Sequence, residues 1–493
     1  MHKILVANRG EIALRVMRTA REMGIQTVAV FSEADRNMPF VRFADEAVCI
    51  GPAASAQSYL RIENIIAAAK ATGADAIHPG YGFLSENAAF SQAVEDAGLT
   101  FIGPSAYSIN MMGNKISAKQ AAKKFDVPMV PGTDEPIGDL ATAIKIAQEV
   151  GFPILIKAAA GGGGKGMRVV ENEAEFESQM RLAQSEALSA FGNGDVFMER
   201  YVGSPKHIEI QVLGDKHGNY VYLFERECSV QRRHQKLIEE APSSCLTPGI
   251  RAKMGEAAVA AARACNYSGA GTVEFLVDEQ LNFYFLEMNT RLQVEHCVTE
   301  MITGIDLVKE QIKVARGEQL SFTQNDLKIN GHSIELRVCA EDPLNNFLPD
   351  TGRLALYQAP KGPGVRVDDG YEQGMDIPIF YDPMIAKLVV HAATREEAIE
   401  RLCRAIDEYQ INGIQTTLPF GKWAVRTEPF RQGQYDTKFI EKYFKPEYLV
   451  EHRPDAEKVA ALLAAMIWEK EQKPMQSMDA QTGAMSKWKM RNR

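Results

Sequence analysis

The seven cysteines of this 493-residue chain form no Cys-x-x-Cys pair and leave an odd number. Nothing in their spacing indicates a disulfide framework, and reduced, mostly buried thiols are expected. No apolar run is long enough to cross a bilayer, and the first residues pass straight into Ile4-Leu5-Val6-Ala7 without a long apolar segment or a small-residue cleavage site. Neither a membrane span nor a secretory leader is therefore expected, and the chain reads as cytoplasmic. Positive charge is also in short supply. The formal net charge of −9 sets aside a general nucleic-acid binder. No repeat at solenoid or propeller period is present. What remains is an ordinary globular composition, 45% hydrophobic and 24% charged, in a chain long enough for about two to four domains.

Short apolar strands alternate with helical patterns over residues 3–112: a strand at 4–7, a helix at 12–23, a strand at 26–31. That rhythm predicts a parallel sheet with crossover helices. A helix over 118–125, a Pro/Gly-marked loop over 127–138, a further helix and a strand over 153–157 follow. Strands dominate 207–224, an alanine-rich helix covers 250–265, and beyond residue 329 the composition shifts to strand and turn, with a helix at 395–409. Residues 455–468 carry Val459, Leu462, Leu463, Met466 and Ile467 at helical spacing, either a helix packed on its own domain or a docking surface for a partner. From residue 472 the chain is polar and disorder is expected.

Five polar residues alternate from Glu287 to Glu295: Glu287, Asn289, Arg291, Gln293 and Glu295. In an extended segment all five share one side. The unbroken apolar stretch 283–286 suggests a strand covered on both faces. Residues 272–277 read as its hairpin partner. A four-residue loop at 279–282 pairs Asp278 with Phe283 and sets Glu274 across from Glu287. Carboxylates about 5 Å apart repel unless a cation lies between them. A hard divalent ion, with Asn289 as a further oxygen ligand, removes that penalty. The plainer alternative is an amphipathic hairpin with a solvated acidic face.

The glycine run 161–166, with Lys165 inside it, lies between two strand-like segments and lacks the helix of a dinucleotide fingerprint and the Ser or Thr of a Walker loop. It reads as a flexible hairpin whose backbone amides close over phosphates, with Lys157 adding a point charge below; a mobile surface loop is the alternative. The basic run 232–236 (RRHQK) is a solvated patch taken alone, and a set of cations for an anionic substrate in company with a metal and a polyphosphate. Residues 78–82 (HPGYG) read as a tight turn after a strand, either simple turn chemistry or a part of the site rim.

Together these motifs resemble the ATP-grasp fold, and within it the biotin carboxylase component of biotin-dependent carboxylases such as acetyl-CoA or propionyl-CoA carboxylase. The resemblance rests on residues 8–13 (NRGEIA), 78–87 (HPGYGFLSEN), 157–167, 232–236 and 287–295 (EMNTRLQVE), and covers residues 1–446. It implies a multidomain α/β and α+β architecture: a Rossmann-like parallel-sheet domain at 1–113, an ATP-grasp domain at 114–330 with a mobile glycine-rich lid at about 131–203, a C-terminal α+β domain at 331–446, and a helical extension with a flexible tail at 447–493. The resemblance also implies ATP held by Lys115, Lys157, Gly163, Gly164, Met167, Glu199, Arg200, Tyr201, Val202, His207, Gln231, His234 and Leu276. Magnesium or manganese ions would lie on Glu274, Glu287 and Asn289. Bicarbonate would meet Lys236, Arg291, Gln293, Val294 and Glu295, and biotin would meet Arg337 and Tyr81. Arg291, Glu295, Lys236 and Arg337 are then the expected catalytic residues. The expected activity is ATP-dependent carboxylation of biotin, the first half-reaction of an acyl-CoA carboxylase, with a two-subunit pyruvate carboxylase or another ATP-grasp ligase as alternatives. Residues 484–490 only echo the Ala-Met-Lys-Met biotinylation motif, so the biotin carrier and the carboxyltransferase are expected on separate polypeptides, and the family relationship implies a homodimer.

Overall fold

The computed structural model describes residues 1–133, 135–137, 139–158, 167–191, 194–233, 235–450 and 454–472. Two compact units, Met1–Pro446 and Glu447–Arg493, divide the chain. The first begins with a five-stranded parallel sheet. Its central strand, Lys3–Val6, pairs with Gln26–Ser32 on one side and Ala76–His78 on the other, and Glu46–Gly51 and Thr100–Phe101 close the edges. Ile4, Leu5 and Val6 are all fully buried, as a strand covered on both faces requires. The strand order reverses beside Lys3–Val6. Asn8, two residues past its C-terminal end, donates from Nδ2 to the carbonyls of Pro79 (2.8 Å) and Tyr81 (2.7 Å), which clamps the HPGYG turn. Gly80 follows from that clamp: at φ +63° a Cβ would come within 2.9 Å of Asn8 Nδ2.

A second sheet, of eight strands, is antiparallel throughout. Its order is Phe283–Asn289, Gly269–Val277, Lys206–Gly214, Tyr220–Arg232, Gln235–Ala241, His332–Cys339, Met384–Ala392, Val365–Asp369. The ladder between Gln235–Ala241 and His332–Cys339, in which Ile238 faces Leu336, carries the sheet across residue 330 without a break. Of the basic run, Arg232 and Gln235 pair at the adjoining ends of two adjacent strands, with Gln231 opposite Lys236. A separate three-stranded sheet, Met167–Val170, Ile154–Ala158 and Val196–Arg200, packs on helices Leu140–Val150 and Glu173–Phe191 through Ile156, Val170, Phe176, Met180 and Met198.

Two sequence expectations need correction. Phe283–Asn289 is an edge strand, and Leu286 is 37% exposed; its apolar run covers the buried face and part of the rim. The turn differs as well. Asp278 uses Oδ1 to accept from the amides of Gln280 (3.0 Å) and Asn282 (2.8 Å), closing a five-residue loop that opposes Val277, not Asp278, to Phe283. A bulge between Glu274 and Phe275 then takes up the extra residue and restores Glu274 opposite Glu287.

In the second unit, helix Pro454–Gln472 leaves Val459, Leu462, Leu463, Met466 and Ile467 exposed. The expected disordered tail lies outside the described residues. Among the described residues no helix is long and apolar enough to cross a membrane.

Candidate active site

Strand pairing brings three glutamates side by side. Glu274 faces Glu287 on one side and Glu209 on the other, and Glu209 in turn faces Arg226. Glu287 stands at the exposed edge, while Glu274 is 5% and Asn289 9% exposed. This set of hard oxygen donors, one at the mouth and two inside, suits magnesium or manganese.

The strand stops at Asn289. Arg291, Gln293 and Glu295 therefore converge by a loop and not, as strict alternation predicts, by a continuing strand. Leu292, fully buried, anchors that loop. Glu86, from the HPGYGFLSEN motif, pins its start by accepting from Thr290 N (3.0 Å) and Arg291 Nε (2.7 Å). Glu295 ends the loop as the residue before helix His296–Thr303.

The result is one continuous run of polar contacts. Arg337 Nη2 donates to Glu295 Oε2 (3.1 Å), and Lys236 Nζ donates to Glu295 Oε1 (2.6 Å) and Glu274 Oε1 (3.1 Å). Glu274 Oε1 also accepts from Gln293 Nε2 and Asn289 Nδ2, each at 2.8 Å, and Asn289 Oδ1 accepts from Arg291 Nη2 at 3.2 Å. Val294 contributes its carbonyl to the buried Lys387 Nζ at 3.0 Å. Lys387 pairs across the strands with Arg337 and lies 5.9 Å from the centre of the Tyr81 ring, which sets Tyr81 beside the Arg337 end.

Charge balance governs this run. Lys236 carries three N–H donors and spends one each on Glu209, Glu274 and Glu295. Burial opposes ionisation of Glu274, but Lys236 and then His207, 2.9 Å away, hold its carboxyl below the usual range. Glu295 is likewise buried yet held well below the carboxylate range by Lys236, Arg337 and Arg226. Arg337 is gripped from behind by Glu239 at 2.6 Å. Burial raises Glu239 and, well above the usual range, its cross-strand neighbour Glu335.

On the nucleotide side, Lys157, next to last in the strand Ile154–Ala158, reaches Glu199 Oε2, while Lys119 takes Glu199 Oε1. Burial opposes, and Lys157 and Lys119 together outweigh, so Glu199 lies below its usual range. Arg200, Tyr201 and Val202 leave the strand beside it, with the amides of Arg200 and Tyr201 donating to Pro131 O and Pro153 O, both at 2.8 Å. His207 faces Leu276 in the large sheet. Lys157 pairs with Met167, which is 44% exposed; the glycine run between the two strands lies outside the described residues. Gly163, Gly164, His234 and the side chain of Lys115 lie outside the described residues. Sequence reasoning missed Glu86, Lys119, Glu209, Arg226, Glu239 and Lys387.

Three family models match the chain: the biotin carboxylase N-terminal domain over residues 1–109, the carbamoyl-phosphate synthase L chain ATP-binding domain over 114–323, and the biotin carboxylase C-terminal domain over 335–442. The chain belongs to the biotin carboxylase family. A pyruvate carboxylase subunit of Methanothermobacter thermautotrophicus is 55% identical over 441 residues, 90% of each chain. Biotin carboxylase 1 of Bacillus subtilis is 52% identical over 442 residues, 90% of this chain and 98% of that one. Among solved structures, a biotin carboxylase complex with β-γ-ATP from Campylobacter jejuni has a TM-score of 0.83 at 49% identity, covering 90% of this chain and 98% of that one. The biotin carboxylase domain of a thermophilic 2-oxoglutarate carboxylase bound to bicarbonate has a TM-score of 0.87 at 46% identity, covering 91% and 99%. Membership in the biotin carboxylase family makes the chain an ATP-dependent ligase, with ATP-grasp architecture between two flanking biotin carboxylase domains.

Proposed function

We propose that this biotin carboxylase uses MgATP to activate bicarbonate as carboxyphosphate, and transfers the carboxyl group to biotin on a separate carrier protein. The observation that supports this reading most is the run from Arg337 through Glu295, Lys236 and Glu274 to Asn289 and Arg291, which joins the proposed biotin, bicarbonate and metal residues without a gap.

Glu274, Glu287 and Asn289 would hold the magnesium ion, which neutralises phosphate charge when bound. Lys157 and the glycine hairpin orient the nucleotide, and closure of the lid at about 131–203 excludes water from an intermediate that hydrolyses readily. Lys236, Arg291 and Gln293 grip bicarbonate in line with the γ-phosphoryl group. Glu295 takes the bicarbonate proton. Its carboxylate is a weak base while Lys236 and Arg337 hold it; engagement of those cations by bicarbonate and biotin weakens that hold and strengthens the base. Protonation of Glu295 also removes one of the three charges that Lys236 balances, releasing a donor to the new carbonate oxygen. Arg337, with Tyr81 beside it, stabilises negative charge on the ureido oxygen as biotin loses its ring proton.

Phosphate release measured with bicarbonate and biotin added separately tests the assignment: release must need both. A separate carboxyltransferase, a homodimeric state and a cytoplasmic location complete the proposal. An acyl-CoA is the proposed final acceptor. Pyruvate is the second reading, favoured by the 55% identity to the archaeal pyruvate carboxylase component, and the acyl group or keto acid carboxylated by proteins that copurify with the chain distinguishes them.

A further inference from the structure

Arg226 heads the largest fully buried side chains of the protein. It lies in the middle of the large sheet, and none of the bicarbonate, nucleotide or biotin assignments uses it. A guanidinium has five N–H donors and no acceptor. Here all five are spent: Nε on Glu209 Oε1, Nη1 on Gln211 Oε1 (2.6 Å) and Thr299 Oγ1 (3.0 Å), Nη2 on Thr272 Oγ1 (3.0 Å) and Gln293 Oε1 (2.8 Å). Two strands, the anion loop and helix His296–Thr303 are thereby tied to one planar group. Since arginine only donates, the Gln293 atom facing Nη2 must be the amide oxygen; the opposite amide orientation would set N–H against N–H. The amide nitrogen is then turned toward Glu274, 2.8 Å away, at the junction with Lys236 and Glu295.

We propose that Arg226 is a positioning residue that sets the orientation of bicarbonate by fixing the amide of Gln293. With that oxygen committed, Gln293, Arg291 and Lys236 offer the anion donors only, and Glu295 is the acceptor left for an O–H. Hydrogen carbonate carries a single O–H, which turns to Glu295 while its other oxygens meet the donors. A reversed amide would accept the O–H itself and hold the proton away from the base. The same guanidinium orients Glu209, whose second oxygen accepts from Lys236, so two of the anion's donors are set by one group. The inference rests on the reading of Gln293 as an anion contact.

Three variants separate the two ideas. Gln293→Met should raise the bicarbonate KM about tenfold or more, with MgATP affinity by equilibrium titration within about threefold of the parent. An unchanged bicarbonate KM removes Gln293 from the anion site, and the functional reading of that residue fails. Given the rise, Arg226→Lys, which keeps the charge but loses the fork, should raise the bicarbonate KM on the order of 10–100-fold and lower kcat, again with MgATP affinity nearly unchanged. The double variant should lose less than the product of the single losses, because both changes act on one contact. Losses that multiply, or an equal weakening of MgATP binding, overturn the proposal and leave Arg226 a structural residue. Thr299→Val removes one acceptor of Arg226 from the side remote from Gln293 and covers the case in which the lysine variant does not fold. It should raise the bicarbonate KM about threefold, and no rise overturns the proposal.

Discussion

Around the proposed bicarbonate position the charged groups already balance one another, whereas at the nucleotide two lysines share a single carboxylate near the mouth of a hairpin. Side chains of Lys236, Glu274 and Glu295 are 11%, 7% and 2% exposed; those of Lys157 and Lys119 are 32% and 43% exposed. The first region is held by a central strand pair and by a guanidinium with every donor used. In the second, Lys157 and Glu199 belong to a small three-stranded sheet with helices of its own, and Lys119 reaches in from helix Lys115–Lys123. A small anion with one proton has to be oriented by a rigid site, while a long polyphosphate is gripped by groups that close upon it. Changes on the anion side should therefore impair bicarbonate use and chemistry, and changes on the nucleotide side should impair MgATP affinity.

Glu295→Gln breaks the anion side most severely. Removing a positioned base of this kind should lower kcat for biotin carboxylation about 10²–10⁴-fold, with MgATP affinity by titration within about threefold; a parallel loss of affinity would erase the distinction. Arg337→Ser should suppress biotin carboxylation about 10²–10³-fold and leave ATP binding nearly intact, as separate assays of phosphate release and nucleotide binding would record. Lys157→Gln is the converse. It should weaken MgATP binding on the order of 10–100-fold with the bicarbonate KM unchanged, and a selective rise in that KM would count against the division.

The smallest effect concerns the turn that carries Tyr81. His78 is fully buried and accepts from the amide of Gly80 through Nδ1 at 3.0 Å, which requires a neutral ring. Burial is the main cause that lowers its pKa to about 4. A depressed value contributes stability that is present above the unfolded pKa near 6.5 and is lost as pH falls toward 4. Between pH 7 and pH 5 the parent should lose about 2 kcal/mol from this group. Thermal melts of His78→Asn, whose side-chain oxygen offers the same acceptor without titrating, should fall less steeply over that interval.

The parallel sheet, the two strands that flank the glycine run and the Glu274–Glu287 pairing were all legible from period and turn residues, though the last arose through a bulge and a five-residue loop that the pattern did not reveal. Arg226, Glu209 and Gln211 were not legible for a definite reason. His207-Ile208-Glu209-Ile210-Gln211 alternates polar and apolar, which in isolation describes a strand with one face in water. Glu209 and Gln211 are in fact 0% exposed, because their strand lies inside an eight-stranded sheet with the anion loop and helix His296–Thr303 packed over that face. Only pairing between distant segments shows that the polar side is an interior. Glu86 escaped notice similarly, since its partner Arg291 is more than two hundred residues away.

The claim on which the rest depends is that bicarbonate attacks the γ-phosphoryl group of ATP in the cleft between Lys157 and Glu295. Bicarbonate labelled with oxygen-18, supplied with MgATP and biotin, tests it directly by mass analysis of the released phosphate. One labelled oxygen per phosphate is expected, since the attacking oxygen stays on phosphorus when the carboxyl group moves to biotin. Unlabelled phosphate, its one newly acquired oxygen drawn from solvent water, formed at the rate of biotin carboxylation, would contradict it.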